Sequence, residues 1–165
     1  MDLTSIRNIE PRDLGSIVDI YNHYVLNTVV SFEESIVTTQ EMMSRVEEIQ
    51  AVGLPWLVVE ENSQVLGFAY ASKWKGRCAY RRSAETTIYL DRNTVGRGRG
   101  SALYGALILQ LRELDYHTAI GGIALPNAAS VALHQRIGFK QVALFQQVGF
   151  KHNRWVDVGY WQLML

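Results

Sequence analysis

Gly96, Gly98 and Gly100 stand at every second position, directly after a strand-like run and directly before a helix-like one, an arrangement suited to holding an anion. Without Cβ atoms the backbone can turn tightly and point successive N–H groups into one concavity, and a helix N-terminus adds roughly half a positive charge. The simplest such anion is a phosphate. A Walker loop needs Gly-Lys-Ser/Thr where the chain has Gly100-Ser101-Ala102, and a dinucleotide fingerprint needs Gly-x-Gly-x-x-Gly, so neither fits. A glycine-rich turn that only reverses the chain stays open at this point. A second cluster lies upstream: Lys73, Lys75, Arg77, Arg81 and Arg82 crowd a short stretch immediately before Glu85. Such cations suit the carboxylate or side-chain oxyanion of a small substrate, the alternative being a solvated basic loop.

The elements that must position these residues follow from composition and period. Residues 86–90 are β-branched or aromatic with one leucine and read as a buried strand, 91–94 supply turn residues, and from Ser101 a helix carries Leu103, Tyr104, Leu107, Ile108, Leu111 and Leu114. Upstream, 4–9 reads as a strand, Pro11 suits a first helical turn, and Leu14, Ile17, Val18, Tyr21, Tyr24 and Val25 share one helical face. Periodicity is lost over 27–38, where Phe32 either lines a pocket or caps the core. A helix over 40–52 closes at Gly53 and Pro55, and strands 56–60 and 65–71 form a hairpin. A strand at 119–124, a short helix at 127–137 and strands at 139–144 and 155–164 complete an α/β reading, a mixed sheet with helices on both faces.

At 165 residues and 48% hydrophobic, the chain is expected to form one domain over 1–165. Sixteen basic and 16 acidic residues cancel, so no global field recruits nucleic acid or an anionic membrane. The N-terminus lacks a basic and apolar leader pattern and no stretch is long enough to span a bilayer, which gives a cytoplasmic expectation. The lone Cys78 agrees with a reducing compartment, and no histidine or second cysteine stands at ligand spacing, so no metal is expected.

Val95-Gly96-Arg97-Gly98-Arg99-Gly100 resembles the Gln/Arg-x-x-Gly-x-Gly/Ala signature of the GNAT superfamily of acetyl-CoA-dependent N-acyltransferases, with valine at the first position. Within it, Tyr21-Asn22-His23-Tyr24-Val25, Trp74-Lys75-Gly76-Arg77-Cys78-Ala79-Tyr80, Leu125-Pro126-Asn127 with His134 seven residues on, and the run from Val148 to Gly159 resemble phosphinothricin N-acetyltransferases over nearly the whole chain. The resemblance implies a GNAT fold, a central twisted mixed sheet splayed at the acetyl-CoA site. It implies a pyrophosphate cradle of Gly96, Arg97, Gly98, Arg99, Gly100, Ser101 and Ala102. Backbone at Ile88, Tyr89 and Leu90 would pair with pantetheine, with a strand bulge aiming an N–H at the thioester oxygen, and Asn127 would hold the cofactor arm besides its ordinary use as a helix cap.

N-acetylation needs a neutral amine, a site for charge on the carbonyl oxygen and a proton for the thiolate. Glu85, partly desolvated at a strand end, is the expected general base, against an exposed strand-end acid; His134 is the expected proton donor or thiolate partner, against a packing histidine. Phe32, Lys75, Gly76, Arg77, Tyr80 and Thr87 are the expected substrate contacts. The implied substrates are glufosinate, methionine sulfoximine and methionine sulfone, and a homodimer using the aromatic tail 155–161 is implied too. Another small amine, a protein N-terminus, or CoA binding without turnover are the rival readings.

Overall fold

The computed structural model describes residues 4–94 and 96–165, so Val95, at the first signature position, lies outside the described residues. The elements are β1 (Thr4–Asn8), α1 (Leu14–Asn27), α2 (Thr39–Ala51), β2 (Trp56–Glu61), β3 (Gln64–Lys73), β4 (Ser83–Leu90), α3 (Arg99–Glu113), β5 (Thr118–Leu125), α4 (Ala128–Ile137), β6 (Lys140–Lys151) and β7 (Arg154–Met164). The strands form one sheet in the order β1-β2-β3-β4-β5-β7-β6, and its one parallel pair is β4 with β5.

Alternation along the strands decides which helices cover which face. On β2, Trp56 and Val58 enter a layer with Ile17, Tyr21 and Val25 of α1 and Met42 and Val46 of α2. Leu57 and Val59 enter the opposite layer, where they meet Leu103, Leu107 and Leu111 of α3, with Val131 and Ile137 of α4 packed beside them. Each such side chain contributes about 1.5–3 kcal/mol when fully buried, so a slip of one residue would expel both sets at once. Helices therefore lie on both faces, as the residue pattern requires.

The parallel pair is short, and the site depends on this. β4 joins β5 only at Ser83↔Thr118, Ala84↔Ala119 and Glu85↔Ile120. Beyond that point each strand follows its other neighbour: β4 stays paired to β3 up to Leu90↔Gly67, and β5 stays paired to β7 up to Leu125↔Asp157. The sheet splays because both outer pairings persist while the shared one stops. The bulge expected on β4 is absent, since its register with β3 is unbroken; the free edge comes from β5 parting.

The tail also differs from expectation. β6 continues to Lys151 and forms a long hairpin with β7, turning at His152 (φ 48) and Asn153 (φ 58). Two successive left-handed residues make the tight turn that matches strand twist, here without the glycine that would have flagged it. Within β7, Trp155 is 61% exposed whereas Trp161 is 2% exposed and belongs to the core, so the two tryptophans do not form one surface.

Candidate active site

Past Glu85 the parted strands leave a narrow gap lined by Thr87, Ile88 and Tyr89 on one wall, Ile123 and Ala124 on the other, Asn127 and Ser130 from the start of α4, and His134 from its last turn. Asn127 Oδ1 accepts the Ser130 N–H at 3.1 Å, which leaves its Nδ2 outside the cap. The Leu90 carbonyl accepts the Tyr24 hydroxyl at 2.6 Å and is thus occupied, whereas the Leu90 side chain fills space that a Cβ on Gly67 would overlap.

The glycine turn lies between β4 and α3. Gly96 (φ 95) and Gly98 (φ 76) adopt left-handed backbone that disfavours other residues, and Gly98 is the cap of α3. The amides of Arg99, Gly100 and Ser101 open the helix and have no intrahelical acceptor, so they are available to an anion. Two expected cradle members behave otherwise. The Ala102 N–H donates to the Gly98 carbonyl at 3.0 Å and is spent within the helix. The Arg99 guanidinium is buried, pairs with Glu61 and donates from Nη1 to the Thr94 carbonyl at 3.2 Å, so it pins the turn from within instead of reaching a pyrophosphate. Arg97 is exposed at the same turn.

A broader cleft of about 1090 Å³ meets the gap at Val30, Glu85, Tyr89, Gly122 and Ala124, which line both. Phe32, Trp74 and Tyr160 give it aromatic walls, Lys75 is the one basic side chain among its lining residues, and Glu33 and Glu85 are the acids. The Lys75 ammonium sits 4.9 Å from the centroid of the Trp74 ring. Gly76, Arg77 and Tyr80 are exposed and lie outside this lining, and Thr87 faces the gap; the expected two-cation pocket reduces to Lys75. Glu33, Tyr160 and Gln162 join the site without having been singled out, and Tyr21 and Trp74 join it from motif stretches in which neither was given a site role. For Tyr160 and Gln162 the signal was present, because alternation about the buried Trp161 puts them on the other face of β7.

The two titratable groups of the gap are perturbed in opposite ways. Burial raises the Glu85 carboxyl above the usual carboxylate range, an effect that nearby Lys75 opposes, and its oxygens have no hydrogen-bond partner among the described residues. His134 is 3% exposed, and burial lowers it below the ordinary imidazole value, so the ring is neutral near pH 7. Its Nδ1 lies 2.8 Å from the Ser130 carbonyl and its Nε2 lies 3.0 Å from the Tyr104 hydroxyl. A carbonyl only accepts, so Nδ1 carries the proton and Nε2 accepts from Tyr104, whose oxygen is also 2.7 Å from Thr86 Oγ1. The expected role of proton donor does not suit this arrangement, because the single N–H of the neutral ring is already used. Gly121 makes room for the ring, since a Cβ there would overlap it.

Residues 6–159 match the acetyltransferase (GNAT) domain, and the chain belongs to that family. Within it, a phosphinothricin N-acetyltransferase of Streptomyces viridochromogenes is 36% identical over 157 residues, covering 95% of this chain and 85% of that protein. The L-methionine sulfoximine/L-methionine sulfone acetyltransferase of Salmonella typhimurium is 36% identical over 161 residues, covering 98% and 94%. The crystal structure of a GNAT superfamily phosphinothricin acetyltransferase from Sinorhizobium meliloti in complex with acetyl-CoA matches with a TM-score of 0.95 at 37% identity, covering 98% of this chain and 88% of that one.

Proposed function

We propose that this enzyme transfers the acetyl group of acetyl-CoA to the α-amine of a small amino acid of the phosphinothricin, methionine sulfoximine or methionine sulfone type. The observation that carries this reading is Glu85, an unpartnered, desolvated carboxylate where the narrow gap opens into the wider cleft. The residues fit the coenzyme: the glycine turn offers the free amides of residues 99–101 to a diphosphate, and the unpaired edge of β4 at Ile88 and Tyr89 offers backbone groups to an extended arm. Acetyl-CoA supplies an activated acyl carbon and a thiolate leaving group. The chain supplies the rest.

Glu85 takes the proton of the substrate ammonium, directly or through one water, and so frees the nitrogen lone pair. Lys75 meets the substrate carboxylate or side-chain oxygens, and Phe32, Trp74 and Tyr160 exclude water around the side chain. Asn127 holds the arm through Nδ2. His134 shapes the wall of the gap, with the leaving group's proton drawn from solvent. Comparing free-thiol release with methionine sulfone, methionine sulfoximine and glufosinate tests the reading; acetyl-CoA binding without thiol release under any amine would overturn it in favour of a non-catalytic role.

The same reading includes a homodimer. Leu144, Phe145, Val148, Phe150 and Trp155 are each about half exposed or more on the β6–β7 hairpin, and an apolar area of that kind suits a second copy. Light scattering of wild type against Trp155→Asp checks it, a dimer giving way to monomer. No helix among the described residues is long and apolar enough to cross a membrane, and the exposed thiol of Cys78 suits the reducing cytoplasm. Neither the balanced charge nor the acids of the cleft favour nucleic acid as a partner.

A further inference from the structure

Lys151 closes β6 and is a lysine only 2% exposed, far from Glu85 in sequence and unused by the mechanism above. Its ammonium donates to the Val25 carbonyl and to the Ser31 carbonyl, each at 2.6 Å. Val25 lies in the last turn of α1, where carbonyls lack intrahelical partners and the helix dipole favours a cation. Ser31 belongs to the irregular segment after α1, whose Val30, Ser31, Phe32 and Glu33 all line the substrate cleft.

Other contacts draw the same segment to the same hairpin. The Phe32 ring occupies the space over Gly149, where a Cβ would overlap it. Val29 is buried with Ala124 and Val156. On the α1 side, Ser31 Oγ lies 3.2 Å from the Tyr21 hydroxyl, which donates to Glu33 at 3.1 Å. A loop without regular secondary structure is thereby tied at the Ser31 carbonyl, through one strand-borne cation, to the end of α1, and held at its largest side chain by one bare glycine. Burial lowers the Lys151 ammonium, while Glu34 and Glu33 favour its charge.

We infer that Lys151, with Gly149, is a positioning device that clamps the segment 28–33 as the roof of the amino-acid cleft and so sets affinity for the amino acid without touching the coenzyme. The inference rests on the proposed acetyl transfer. Lys151→Met keeps the aliphatic stem and removes the ammonium; Gly149→Ala keeps the ammonium and displaces the Phe32 ring. Each variant is expected to raise KM for methionine sulfone about tenfold, with KM for acetyl-CoA unchanged and kcat within about twofold. Hydrogen exchange at the amides of 28–33 is expected to quicken in both variants while that of α3 and β4 stays as in wild type.

A merely structural lysine would lower Tm and the active fraction, leaving amino-acid KM and the pattern of exchange alone, and that result overturns the inference. Should Lys151→Met fail to fold, Gly149→Ala decides by the same two readouts. Absence of turnover in wild type would defeat the proposed function instead, and the exchange measurement would still judge the clamp.

Discussion

Glu85 and His134 line one gap, yet their surroundings differ in kind. Glu85 is half-buried, lacks a hydrogen-bond partner among the described residues and has one opposing charge, Lys75. His134 is fully buried with both ring nitrogens engaged, to Ser130 and to Tyr104. A group that must take up a proton needs an unfilled lone pair, and Glu85 has that; a group that must give one needs a free N–H, and His134 lacks it. The difference separates a reacting acid from a ring that shapes the wall, although both types stand at motif positions.

The largest expected effect is Glu85→Gln, which removes the base and keeps the shape: kcat should fall about 10²–10⁴-fold while KM for acetyl-CoA changes little, read by thiol release. Next comes Gly98→Val, which forces a β-branched residue into left-handed backbone at a cost of about 1–2 kcal/mol and should raise KM for acetyl-CoA while leaving that for the amino acid alone.

On the histidine side, Tyr104→Phe leaves Nε2 unpartnered in the core and should cost about 1–3 kcal/mol in urea unfolding, with a smaller loss of kcat than Glu85→Gln. The pH dependence separates the two groups further. Because the folded fold holds His134 below its ordinary value, stability is full above that value and is lost as pH falls through the lowered one; His134→Gln should flatten this acid slope. Glu85 has the opposite sign, since its raised value makes stability fall as pH rises through it, and Glu85→Gln should remove that term. The smallest expected effect is Arg77→Ala or Tyr80→Ala, within about twofold in kcat/KM, because both side chains lie outside the cleft.

Much of this was legible in the sequence, for reasons that can be stated. The strand before the glycines, the amphipathic α3 and α1 and the hairpin of β2 and β3 each carry a clear period, and each forms where expected. Glu85 and Asn127 stand beside element starts, so their chain positions nearly determine their place in space. Other features depended on packing. Arg99 stood in the glycine motif, yet its guanidinium turns to Glu61, a strand away, and no local pattern marks that ion pair. Arg77 and Tyr80 shared a basic, aromatic stretch with Lys75, but a short 3-10 turn at Cys78–Tyr80 carries them off the cleft. Lys151 carries no local signal of burial, and only the long hairpin brings its ammonium to the end of α1.

The central claim is that Glu85 deprotonates the amine. It is tested most directly by kcat for methionine sulfone acetylation across pH, in wild type and Glu85→Gln. The account predicts that wild-type activity rises with pH through a group titrating above the usual carboxylate range, and that Glu85→Gln loses both the rate and that limb. A variant that keeps the wild-type rate and the same limb would contradict it.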